Sequence, residues 1–338
     1  MGLRVREQAS PSTPASGYSE LYPKSDGLWY FKDDTGAENL VAFGNYAFKN
    51  RLINPDGGVY QRTVAAAADD VYFADRWYAL TQTGTVTPSV LANPEDGYPH
   101  GVRVTQSQAS AQRFGFAQII EGVHCKDLRA QSGVLTPRIR ISNSQAVRYA
   151  ILGWTGTEDA VTSDVVNDWT NGTYTAGNFF LGTNVSVLAV GSATPGANSW
   201  TSLAALSAAL GSAFNNIIVM VWTEGTAAQN VTMDFDYIQF EKGAFASEFE
   251  RLSYTSQWQQ CSRYYLGQMQ YDNYDSTASS GRSTSCILPT EMRAAPTVTV
   301  SATAGSATGS GYIRSVQLGG TGDGVGNWTG SFVCSAEL

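Results

Sequence analysis

The side chains best suited to chemistry are aromatic rings set among short acids and amides. Trp154, Trp169 and Tyr174 stand in or beside a polar stretch, residues 155–178, that also holds Asp159, Asp164, Asp168 and Asn171. A sugar ring offers an apolar face of C–H groups that stacks on Trp or Tyr, while Asp and Asn hydrogen-bond its hydroxyls. This pattern nominates Trp154, Trp169, Tyr174, Asp168 and Asn171 as glycan-binding residues. The stretch is longer than a connection needs, and such loops are often functional. The other reading is that Trp154 and Trp169 anchor the loop to the body beneath. Tyr271, Asp272, Tyr274 and Asp275 form a second cluster open to the same two readings.

Other chemistries find little support. His100 and His124 are the only histidines. His124 precedes Cys125, but neighbours on a strand point to opposite faces, so no Cys/His dyad is expected. There is no G-x-S-x-G elbow, and no enzymatic activity is expected. Cys125, Cys261, Cys286 and Cys334 are scattered without a C-x-x-C, which argues against structural zinc. Cys286 and Cys334 lie in strand-like segments and could pair; the alternative is buried free thiols. The G-D-G-V-G within residues 319–326 is a single copy outside any strand-to-helix turn, and reads as a flexible turn. A formal charge of −8 with no Lys/Arg run beyond two residues argues against a nucleic-acid partner. No apolar run approaches ~18 residues, so no membrane insertion is expected. The first residues lack an apolar core, so no signal peptide is expected.

The elements that must position these side chains read as strands. Charged residues are 15% of the chain, below the typical ~25%. Residues 215–251 organise the rest. In residues 231–240, Val231, Met233, Phe235 and Tyr237 alternate with Thr232, Asp234, Asp236 and Ile238, the period-2 signature of a half-buried strand. Strand-like runs recur over 75–83, 101–107, 114–121, 133–142, 146–154, 179–191 and 217–222, and Pro137 should mark an edge or bulge. Residues 200–214 fit a strand and a turn at Gly211 better than a helix. Many short strands indicate a sandwich or barrel. Residues 251–266 differ: Ser253 is placed to cap a helix carrying Trp258, Cys261 and Tyr265 on one face. At the other end, residues 1–17 are polar and read as an extended arm. Residues 17–41 hold three short strand-like runs separated by K-S-D-G and D-D-T-G turns. A meander this small is not stable alone. Its Tyr18, Leu21, Leu28, Trp29 and Phe31 form the kind of apolar patch that marks an interface.

Four motifs then carry a resemblance. They are N-R-L-I-N-P-D-G at 50–57, Q-F-E-K-G-A at 239–244 followed by S-E-F-E-R, C-S-R-Y-Y at 261–265, and P-T-E-M-R-A-A-P-T-V at 289–298. In this order the chain resembles bacteriophage tail-fibre and virion-appendage proteins that contain a carbohydrate-binding-module-like jelly roll. The resemblance implies an all-β fold in four parts. These are an extended virion-attachment arm (1–17), a β-meander for trimerisation (18–45), a jelly-roll β-sandwich (46–250) whose first strand is 50–57, and a C-terminal helix plus β-rich tip (251–338). It implies a homotrimer on the virion exterior, joined to other virion proteins by the arm and to a host cell-surface glycan. A structural calcium is a further implication, with Asn54, Asp56 and either Asp234 or Asp236 as hard oxygen ligands. Alternatives are a capsid-decoration or assembly protein with no ligand, and a polysaccharide depolymerase.

Overall fold

The computed structural model describes residues 5–41, 48–95, 98–274, 281–321 and 327–338. The chain divides into two units, Met1–Phe48 and Lys49–Leu338.

In the first unit β1 (Glu20–Pro23), β2 (Trp29–Lys32) and β3 (Glu38–Leu40) form the expected antiparallel meander. Gly27 and Gly36 take φ of 79° and 87° at its turns, a conformation glycine adopts without a Cβ penalty. Tyr22 and Tyr30 pair across β1 and β2 and are buried, while Leu21 and Phe31 pair on the opposite face and are exposed. The arm lies along this meander: Gln8 N donates to Pro23 O at 3.0 Å, Lys32 Nζ to Pro11 O at 2.9 Å, and Gly17 N to Asp34 at 2.7 Å. The boundary expected at 45/46 lies outside the described residues.

The second unit is built on two six-stranded sheets. Its strands are β4 (Tyr72–Ala74), β5 (Trp77–Thr81), β6 (Val86–Glu95), β7 (Tyr98–Gln106), β8 (Phe114–Ile120), β9 (Ser132–Ile141), β10 (Val147–Trp154), β11 (Val185–Ala193), β12 (Thr201–Ser202), β13 (Leu206–Ala209), β14 (Asn216–Thr223) and β15 (Thr232–Lys242). One sheet runs β11-β10-β14-β8-β5-β4; the other runs β12-β9-β15-β7-β6, with β13 also on β9. From β7 to β15 the chain crosses repeatedly between sheets, the winding of a jelly roll. Between them lies a core in which Trp77, Phe116 and Phe235 meet with centroids 4.6–5.6 Å apart.

Two local expectations change. Residues 50–57 form no strand. The Gln118 side chain takes the place of a strand partner: its Oε1 accepts from Ile53 N at 2.7 Å and its Nε2 donates to Ile53 O at 2.8 Å. Asn54 then turns the chain at φ 56°, with its amide bonded to Val59 N and Val59 O. In β15 the strict alternation breaks. Phe235 pairs Ile139 but Tyr237 pairs Arg138, so Asp236 is the extra residue of a β-bulge. Beyond it the faces swap: Ile238 and Phe240 enter the core, and Tyr237 turns outward. Pro137 pairs with Ile238, one position past this bulge, in the gap between the β12 and β13 pairings.

Helix α1 (Tyr254–Ser262) starts where expected, with Ser253 Oγ accepting from Ser256 N at 3.3 Å. After it come β16 (Tyr265–Tyr274), β17 (Gly281–Ile287), β18 (Thr297–Ala304), β19 (Ser306–Tyr312), β20 (Ser315–Thr321) and β21 (Asn327–Ser335). They form two three-stranded sheets, β16-β21-β18 and β17-β20-β19, around Leu266, Met292, Leu318, Trp328 and Phe332. This segment has its own core yet shares one unit with the sandwich. Cys261 and Tyr264 pack with Ile53 and Val59, and Arg263 and Tyr264 both bond Glu121, at 2.8 and 2.6 Å. Arg62 and Arg76 both pair with Glu337. The C-S-R-Y-Y and M-R-A-A-P motifs are thus the junction: Met292 is core, and Arg293 donates to the carbonyls of Ala336 and Glu337.

Candidate functional site

The long loop, residues 155–184, folds back on the outer face of the first sheet. Val161, Val165, Val166, Phe179 and Phe180 bury against Ile218, Met220 and Trp222. Phe179 stacks on Trp222 at 5.3 Å, and Phe180 meets the same ring edge-on at 5.7 Å. Burial of such side chains contributes roughly 1.5–3 kcal/mol each, which explains why so polar a sequence is held down. The nominated aromatics belong to this packing. Trp154 is 8% exposed and donates to Thr157 O at 3.0 Å. Trp169 meets Phe179 at 5.7 Å; Tyr174 lies 5.2 Å from Phe179, beneath the Arg148 guanidinium. Asp168 accepts from Thr170 N and Oγ1, at 2.8 and 2.7 Å, and Asn171 accepts from Thr173 N at 2.8 Å. These bonds hold the Asp168 carboxyl below its ordinary range. The geometry of the five residues is that of anchors and turn formers.

The outer face of the second sheet is built differently. Register sets Arg103 on β7, Asp234 on β15 and Arg140 on β9 side by side in one row. Arg103 Nε and Nη2 donate to Asp234 Oδ1 and Oδ2 at 2.8 and 2.9 Å; Arg140 Nε donates to Oδ2 at 2.8 Å. The next row holds Arg138, paired with Asp236, and Tyr237. Both aspartates are fully buried beneath guanidinium groups that reach the surface. Asp234 holds the Arg103 guanidinium above its ordinary value by hydrogen bonding. Trp200 lies over Arg138 and Arg140, with ring centroid to guanidinium distances of 5.0 and 4.7 Å. Beside Arg138 opens a cleft of about 180 Å³ lined by Thr136, Pro137, Ser202, Tyr237, Ser247 and Phe249. Phe249 stacks on Tyr237 at 4.0 Å and 18° and fixes that ring.

The bulge at Asp236 makes this face, because it turns Tyr237 outward. The sequence carried a usable signal in R-I-R-I at 138–141, facing D-F-D at 234–236: two alternations with charge on one face. The expectation for residues 231–240 followed the period through the bulge and so put Tyr237 inside.

The remaining candidates resolve locally. Asn54 is consumed by its turn, and Asp56 accepts from Gly58 N and Gln257 Nε2, both at 3.0 Å. Asp234 and Asp236 are held by arginines, so the residues implied for calcium already have protein partners. Among the described residues, the metal-competent group is Asp69, Asp70 and Asp164, with carboxylate oxygens within 4.8 Å. Burial first, then the neighbouring acids, pushes Asp70 up to about 6. His124 ends a short 3-10 turn (Gly122–His124) and Cys125 links it to a second (Lys126–Leu128), so neither lies on a strand. The Cys125 thiol is fully buried, donates to Ile120 O at 3.7 Å, and is pushed up to about 12 by burial. All four cysteines are free, Cys286 and Cys334 included. Tyr271 and Asp272 border a polar recess of about 280 Å³ with Gln268, Gln270 and Thr329. Asp275, the Tyr274 side chain and residues 322–326 of the Gly-rich stretch lie outside the described residues.

No family model matches the chain, and no curated protein matches it in sequence. Solved structures similar to it include the carbohydrate-binding module TmCBM61 in complex with β-1,4-galactotriose, at 12% identity and TM-score 0.33, covering 58% of this chain and 99% of that one. A C-terminal family 22 carbohydrate-binding module of Clostridium thermocellum Xyn10B is similar at 12% identity and TM-score 0.30, covering 57% and 99%. The enzymatically active domain of bacteriophage CBA120 tailspike protein 4 is similar at 11% identity and TM-score 0.35, covering 57% of this chain and 21% of that one. The likeness is one of β-sandwich architecture.

Proposed function

We propose that this chain is a phage virion fibre or appendage protein, exposed on the particle, that recognises a host-surface glycan through the outer face of its second sheet. One observation carries the glycan reading: the two outer faces are unlike. The first is covered by the loop of residues 155–184, held down by its buried valines and phenylalanines, while the second presents Trp200 and Tyr237 among guanidinium groups beside a cleft. An open face with rings and fixed polar groups suits a sugar polymer, whose rings stack while their substituents hydrogen-bond. The ordered resemblance motifs support the fibre reading. The arm would join other virion proteins, and the meander would hold three chains together, so that weak sites gain avidity.

The test is adhesion of purified protein to host cells, before and after their surface polysaccharide is stripped. Adhesion that survives stripping, or that never occurs, sinks the glycan reading and favours a decoration or assembly protein without a ligand. Loss of polysaccharide viscosity would instead identify a depolymerase. Trp200→Ala should cut adhesion at least tenfold with little change in melting temperature. Trp169→Ala should do the reverse, lowering melting temperature while adhesion per folded molecule is kept.

A further inference from the structure

The ligand of this face has a definite chemical class. A site for neutral sugars needs acceptors as well as donors, because every hydroxyl is both. Here the carboxylate acceptors are used up. Both carboxylate oxygens of Asp234 are occupied by Arg103 and Arg140, and Asp234 and Asp236 are fully buried, beyond a ligand's reach. Guanidinium groups carry only donors. Nη1 of Arg103 and Nη1 of Arg140 make no hydrogen bond to the described residues. Three arginines stand over two aspartates, so the patch is cationic in a chain of formal charge −8.

We infer that the face takes an acidic polysaccharide, one whose sugar carboxylates are received by Arg103, Arg140 and Arg138 while a ring lies against Trp200. This rests on the glycan reading above and narrows it. A planar guanidinium matches a carboxylate with two parallel donors. The buried aspartates fix the three planes in advance, so little side-chain freedom is lost on binding. The cleft, at about 180 Å³, is smaller than the ~300 Å³ of pockets that enclose a drug-sized ligand. It therefore seats part of a polymer and leaves the rest running along the sheet.

The experiment measures affinity of the full chain for polygalacturonate, alginate and hyaluronan, and for the carboxyl-reduced, neutral form of each. At least one acidic polymer should bind tenfold or more tightly than its reduced form. That binding should weaken steadily between about 0.1 M and about 1 M salt, as the Debye length falls from ~10 to ~3 Å. Arg140→Ala leaves Asp234 paired with Arg103, so the fold should hold, and it should cost roughly tenfold or more toward the acidic polymer alone. If that variant does not fold, Arg140→Lys serves: it keeps the charge, loses the planar fork, and should weaken acidic binding severalfold. Equal binding of acidic and reduced forms, or binding of neutral forms only, overturns the acidic class and leaves glycan recognition standing. Binding of none of the six polymers overturns both.

Discussion

At the residue scale, a polar side chain's burial and partners decide its role, and the sequence shows neither. Trp169 and Trp200 look alike in composition, each near polar neighbours, yet one edges onto Phe179 and the other lies over two guanidiniums. Asp75 makes the point with a titration. It is fully buried, and its carboxylate accepts from Gln61 N at 2.6 Å and Gln61 Nε2 at 3.0 Å. Burial outweighs these bonds and pushes it up to about 6 from an ordinary 3.8. The sign follows from linkage: the folded state holds the proton more tightly than the unfolded chain. This group therefore adds stability as pH falls through about 6 toward 3.8, and that contribution is lost as pH rises back through 6. Asp75→Asn should remove this slope. Denaturant melts of both proteins at pH 7 and pH 5 should show wild type gaining on the variant by about 1 kcal/mol at the lower pH. A difference independent of pH would mean that Asp75 is not proton-linked.

At the element scale, strands with strong apolar runs were legible: β8, β10 and β14 fall close to where their sequences put them. Their side chains alternate between two apolar layers, the sandwich core and the loop-covered face, so the runs are apolar on both faces apart from Gln118 in β8 and Arg148 in β10. The segment 50–57 was not legible, because its partner is a side-chain amide from Gln118, 65 residues away. The bulge in β15 was not legible either, since no local pattern reports a two-to-one pairing with β9. Its consequence can be tested by deleting Asp236. A one-residue slip exchanges the faces of a strand, but here the residue removed is the one without a partner on β9. Phe235 would then run directly into Tyr237, and Ile238 and Phe240 would keep facing the core with the same β9 partners. The expected result is a protein with native circular dichroism, destabilised by the loss of the carboxylate that pairs with Arg138. A deletion variant that fails to fold would mean that Asp236 is not the extra residue of the bulge.

At the scale of the molecule, packing explains why the motifs around Cys261 and Met292 sit where they do, because they clamp the C-terminal sheets to the sandwich. The first unit poses a different question. Leu21 and Phe31 are cross-strand partners at 56% and 38% exposure, with Tyr18 and Leu28 also exposed and Trp29 half-buried, while the opposite face of the meander is closed over Tyr22 and Tyr30. A three-stranded meander with one apolar face open has little to hold it together. Covering that face at ~25 cal/mol per Å² would stabilise each chain by several kcal/mol. Identical copies can supply the cover through a closed rotational interface, and the fibre resemblance favours three. Light scattering on the intact chain should then report a mass near three chains, and Leu21→Ser with Phe31→Ser should shift it toward one. The double variant should leave residues 49–338 folded, since they form their own unit with their own core. A wild-type monomer at micromolar concentration would refute the trimer and require that some other partner cover Leu21 and Phe31.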